Sequence, residues 1–197
     1  MPGSTYEYDN PERVVIGTVG EPGSRSFFLQ VRGARSGWPG TSVTSVSLEK
    51  QQVAVLADRM EDMLDEVLRR SGGSAAVPAI APLGQDDLDP LDPPEEDFRV
   101  GTMSLGWDAE RELVTIECYA TLDTDFTEDD PNVDEETTPG TGGDRSVLRV
   151  SMDGATARLF VRRSEAVVAA GRPPCPFCHL PLDPDGHICP RSNGYRR

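Results

Sequence analysis

Cys175-Pro-Phe-Cys178 and Gly186-His187-Ile-Cys189 place three of the chain's four cysteines and one of its two histidines in a short, proline-rich C-terminal stretch. Two cysteines three apart can grip one metal ion from a single tight turn. Gly186 lets a second turn bend so that His187 and Cys189 face back. Cys175, Cys178, His187 and Cys189 then form a Cys3His set, and four soft or borderline donors suit tetrahedral zinc. Eight residues separate the two pairs, which fits a compact knuckle better than a long zinc finger. With all four positions filled by protein no place remains for water, so the expected zinc, one per chain, is structural. Free or disulfide-linked cysteines are the plain alternative. His179, directly after the second cysteine, competes with His187 for the fourth place. So small a segment cannot bury a core, and a metal is its obvious source of order.

Other chemistry is poorly supplied. The second histidine, His179, lies in the same tail, so a Ser-His-Asp or Cys-His pair within the main body is not available. Gly17-Thr-Val-Gly20-Glu-Pro-Gly23 has neither the Lys-Ser/Thr of a phosphate loop nor dinucleotide-binding spacing, and reads as a hairpin turn. Asp123-Thr-Asp125 lacks the glycine and terminal glutamate of a calcium loop. Cys118, inside a predicted strand, reads as a small buried apolar residue.

The elements that must carry the tail are legible from pattern. Strands are predicted near 13–19, 26–33 and 41–48, separated by Gly-Pro-Gly-Ser and Gly-Trp-Pro-Gly turns. A helix follows near 49–70, with Val53, Leu56, Met60, Leu64 and Val67 on one apolar stripe and Ser71-Gly-Gly-Ser to end it. Further strands near 97–107, 111–122 and 145–152 precede a second helix over about 153–170, stopped by Gly171 and Pro173-Pro174.

The two runs look alike. Ser42, Val43, Val46 and Ser47 match Ser146, Val147, Val150 and Ser151 at a constant offset of 104. Ile16–Val19 pairs with Val100–Met103, and Phe27–Val31 has a counterpart in Leu113–Cys118. The reading is an α+β fold of duplicated βββα units, an antiparallel sheet with two helices on one side, plus a small C-terminal zinc knuckle. The core spans 11–170, with halves at about 11–70 and 96–170. Loops 71–95 and 123–144 lie outside it, and residues 171–197 form the knuckle tail.

Charge is localised. Residues 86–97 hold seven acids and 123–136 hold eight, with no base in either run; these fifteen equal the entire net charge of −15. Residues 158–197 carry seven arginines against Glu165, Asp183 and Asp185. The acidic runs read as solvated, self-repelling loops. No 18-residue apolar run and no basic-then-apolar N-terminus occur, which predicts a cytoplasmic protein without membrane contact.

Taken together, Gly186–Arg197, Cys175–Pro184, Gly17–Gly23 and Leu48–Val53 resemble an actinobacterial family known as domain of unknown function three thousand and ninety. The resemblance covers nearly the whole chain. It implies a cytoplasmic protein with no assigned activity, and it matches Cys175, Cys178, His187 and Cys189 position by position. Family members usually have glycine where this chain has His179, and their acidic loops are shorter. A more distant resemblance, to PUR and Whirly single-strand nucleic-acid-binding repeats, implies an open sheet face on which Phe27, Phe28, Arg32 and Arg35 would stack bases and track phosphates.

The functional expectation is a binding or adaptor protein, more readily non-enzymatic than catalytic. Its expected partner is an unidentified protein, with nucleic acid disfavoured by the net acidity. The alternatives are single-stranded nucleic-acid binding by the sheet, or a divalent-metal enzyme using the acidic loops.

Overall fold

A computed structural model describes residues 3–83, 90–91, 94–121, 145–171, 175–178, 189 and 191. The fold is α+β, a seven-stranded mixed sheet with two helices. Strand β1 is Thr5–Asp9, β2 Arg13–Val19, β3 Ser26–Ala34 and β4 Thr41–Leu48; helix α1 is Lys50–Arg70. Then come β5 Phe98–Asp108, β6 Leu113–Ala120, β7 Val147–Asp153 and α2 Gly154–Ala169. Six strands and both helices lie within two residues of their predicted bounds. The strand missed is β1, which has only five residues and one buried side chain, Tyr8, too little alternation to register as a pattern.

Strand order is β1-β7-β6-β5-β4-β3-β2. The expectation of a purely antiparallel sheet is corrected at two seams: β4 pairs with β5 in parallel, and so does β1 with β7. The physical reason at the first seam is α1, a crossover long enough to return the chain in its original direction. Across β2, β3 and β4, Ile16, Leu29 and Val46 lie abreast, with Phe98 of β5 next in the row. Across β5, β6 and β7, Leu105, Ile116 and Val150 lie abreast, with Tyr8 of β1 next.

Both helices start where a strand hands over directly. Gln52 accepts the Glu49 N–H at 2.8 Å and donates to the carbonyls of Val100 and Gly101, tying the start of α1 to β5. Asp153 caps α2 by accepting the Thr156 N–H at 2.7 Å. Gly72 and Gly73, at φ 61° and 83°, take the left-handed conformation that ends α1. The predicted turn after β2 is a hairpin in which Gly20 and Gly23 sit at φ 101° and 105°.

One apolar cluster joins both strand sets to both helices. It includes Ile16, Leu29, Val46, Met60 and Leu64 from the first run and Ile116, Leu148, Val150 and Phe160 from the second. Tyr8 completes it, its hydroxyl 2.7 Å from Thr44 Oγ1 and 3.0 Å from Ser42 Oγ. Tyr8→Phe is expected to cost about 1–2 kcal/mol, because the buried Thr44 hydroxyl loses its partner. Chemical denaturation of the single variant would show it as a lowered midpoint with an unchanged slope.

In the segment after α1, expected as loop 71–95 outside the core, Ile80 and Leu83 are exposed while Val77 is buried. Val77 belongs to the apolar cluster. Three polar contacts pin the chain beside it: Arg158 Nε to the Pro78 carbonyl at 3.1 Å, Arg162 Nη1 to the Pro82 carbonyl at 2.8 Å, and the Ala76 N–H to Glu112. Further on, Leu91 N–H donates to the buried Gln30 side chain at 2.9 Å, and Pro90 lies against Gly17. Ser45 exchanges hydrogen bonds with Asp97, and Ser47 donates to Glu96. Arginines of α2 and the Gln30 and Glu112 side chains bond several of this segment's backbone groups, which holds it to the body although its composition reads as loop. Residues 86–89 and 92–93 of the first acidic run, and the whole of loop 123–144, lie outside the described residues.

Candidate metal centre

Cys175 opens a tight turn through Pro176 and Phe177 to Cys178. Proline fixes one backbone angle of that turn, and the N–H groups of Phe177 and Cys178 then point back at the Cys175 sulfur. Burial opposes ionisation of this thiol. The backbone donors, with the neighbouring Cys178 and Cys189 side chains, outweigh it and hold Cys175 below the ordinary thiol range. That favours the thiolate, the form that binds metal.

Cys189 arrives from further along the chain with its Sγ 3.8 Å from that of Cys175. The sulfurs of Cys175, Cys178 and Cys189 all lie within 4.8 Å of one another. Cys175 and Cys189 are buried and Cys178 is partly exposed. Arg191, which the sequence reading did not single out, donates from Nη1 to the Phe177 carbonyl at 3.2 Å and closes the second segment onto the first turn. Its only sequence signal is a cation two residues beyond Cys189.

The structure thus brings together three of the four predicted ligands. His187, the fourth, and its competitor His179 lie outside the described residues. Three thiols so placed could hold a metal ion, which is as far as the geometry alone reaches. Cys118 stands apart. It is fully enclosed in the apolar core on β6, and burial pushes its thiol up to about 12, so it is inert at neutral pH.

The residues suited to a base-stacking sheet are placed otherwise. Phe27 and Phe28 are buried, 6% and 8% exposed. Arg32 pairs with Glu12 at 3.5 Å, and Arg35 is held over the rings of Tyr6 and Trp38. On the other half of the sheet, Glu117 gathers Tyr119, Arg149 and Ser104, and Arg149 reaches on to Glu7. The Tyr119 hydroxyl, followed by Arg149 and Ser104, holds the Glu117 carboxyl below its usual range against the opposing effect of burial. This row of mutually paired groups lies across adjacent strands and reads as sheet stabilisation rather than catalysis. Among the described residues no helix is long and apolar enough to cross a membrane.

A chain with this mixed sheet and a C-terminal cysteine triad belongs to the family described as protein of unknown function (DUF3090), whose model matches residues 6–189. The match takes in both helices, strands β2 to β7, all but the first residue of β1, and the three clustered cysteines. No curated protein and no solved structure matches the chain.

Proposed function

We propose that this is a non-enzymatic binding or adaptor protein of the cytoplasm, whose C-terminal module is ordered by one structural zinc on Cys175, Cys178, His187 and Cys189. One observation carries the zinc reading. Two sulfurs at about 2.3 Å from a shared tetrahedral zinc are about 3.8 Å apart. The Cys175 and Cys189 sulfurs stand at that distance, 3.8 Å. A disulfide would need about 2.05 Å. Backbone N–H donors aimed at the Cys175 sulfur add to it, since they stabilise a thiolate ligand.

The zinc is read as structural because three sulfurs and an imidazole leave no open coordination site. A module so ordered presents the exposed Phe177 on a fixed turn, with Arg191 bound to that residue's own carbonyl. A rigid aromatic beside a cation is the kind of surface a protein partner uses as an anchor. The single-strand nucleic-acid reading has less behind it, because the aromatic pair it needs is buried and part of the 90–97 segment lies against Gly17, Gln30 and Ser45.

In this reading the folded body is the predicted 11–170 together with β1, which pairs with β7 and puts Tyr8 in the core, residues 171–197 are the module, and the body arose by duplication of a βββα unit. The abreast rows support the duplication, since they superpose Val46 on Val150 and Leu29 on Ile116. They set Ile16 against Leu105 and Gly17 against Gly106, so the sequence match of Ile16–Val19 with Val100–Met103 is out of register with the other two.

The test is co-purification from the native cytoplasm, comparing the full chain with one truncated after Gly171. A partner lost on truncation is the expected result. The same partners on both would move the binding surface to the body. A salt titration with labelled single-stranded DNA and RNA separates the other reading, because phosphate-driven binding must weaken steeply with salt.

A further inference from the structure

We infer that the cysteine triad is also an oxidation site for hydrogen peroxide, which enters at Cys178, closes a Cys175–Cys178 disulfide and thereby releases the metal. The inference rests on the zinc reading above. Exposure sets the point of entry. Cys175 and Cys189 are 2% and 7% exposed, whereas Cys178 is partly open to solvent. A small oxidant therefore meets the Cys178 sulfur first.

The position of Cys175 sets the second step. It shares one tight turn with Cys178 and is in side-chain hydrogen-bond contact with it. The two sulfurs already lie within 4.8 Å, so closing to a disulfide calls for side-chain rotation within the turn. Cys189 comes from a separate segment and has no such tether.

The chemistry balances with peroxide as the only co-reactant. The Cys178 thiolate attacks one peroxide oxygen, the O–O bond breaks, and hydroxide leaves, giving a sulfenic acid. The Cys175 thiolate then attacks the Cys178 sulfur, the S–O bond breaks, and a second hydroxide leaves as the S–S bond forms. The two sulfurs together lose two electrons and the peroxide gains them. Two protons from solvent turn the hydroxides into water. Disulfide sulfur is a poor donor to zinc, so the ion is left with half of its ligands and departs.

The selectivity is internal to the chain. Cys118 is enclosed in the apolar core on β6, out of reach of the oxidant, so it stays reduced.

The experiment uses the full-length, zinc-containing protein. Metal content is measured first, and hydrogen peroxide is then titrated while a chromogenic chelator reports free zinc, with thiols counted and peptides mapped by mass spectrometry. The expected result is release of about one zinc for each pair of thiols consumed, a Cys175–Cys178 linkage, Cys118 still reduced, and restoration by dithiothreitol with added zinc. Metal retained under peroxide overturns the inference. So does release accompanied by a disulfide to Cys189, or by Cys178 stopping at sulfinic acid. A protein that contains no metal before any peroxide is added overturns the zinc reading instead, so the two failures are distinguishable.

Discussion

Cys175→Ser is expected to bring the zinc content of the purified protein from about one per chain to near zero. The residue is the centre of the triad, buried, 3.8 Å from Cys189 and in contact with Cys178. Apparent binding free energies of structural zinc in small peptides are on the order of 10–16 kcal/mol, and losing one thiolate forfeits much of that. A segment without a core then has little to order it. The consequence should be local, because Cys175 and Cys189 are not members of the apolar cluster that holds the sheet and helices. Elemental analysis gives the metal content. Hydrogen exchange of residues 175–191 should rise to that of an unfolded chain, while strands β2–β7 keep their protection. Wild-type protein free of metal, with a protected tail, would contradict the assignment. So would a variant that keeps its zinc.

Phe160→Ala is expected to destabilise the body by about 3–5 kcal/mol, the range for removing a large aromatic from a packed core. Phe160 is 1% exposed on α2, within the one cluster that also contains Leu64 of α1, Leu29 of β3 and Leu148 of β7. Because that cluster crosses both βββα runs, the loss should appear in one cooperative urea transition of lowered midpoint. Two separate transitions, with only the second run weakened, would show that the runs fold independently. Zinc content should remain at the wild-type level, so the pair of variants separates the body from the module.

Much of the molecule could be read from the chain because its signals are local. The apolar spacing from Val53 to Val67 specifies an amphipathic helix wherever the segment lands, and Gly72-Gly73 ends it through backbone freedom alone. The β-branched and aromatic runs around Ile16, Leu29 and Ile116 needed no partner to be recognised as strands. The ligand types were equally visible, since cysteines three apart restrict a turn whatever surrounds it.

Tertiary structure decided what depends on distant partners. Tyr6-Glu-Tyr8 becomes strand only because β7 offers a parallel edge, an arrangement that no pattern within five residues can encode. The Pro78–Pro82 segment looks like a loop, and it is fixed because Arg158 and Arg162, 80 residues away, reach its carbonyls. Glu96 and Asp97 count as acidic-run charge in the sequence, but in the fold they accept hydrogen bonds from Ser47 and Ser45. The sequence also named three thiols without saying how far apart they would stand. In the fold the Cys175 and Cys189 sulfurs stand 3.8 Å apart, the spacing at which two thiolates share a tetrahedral ion.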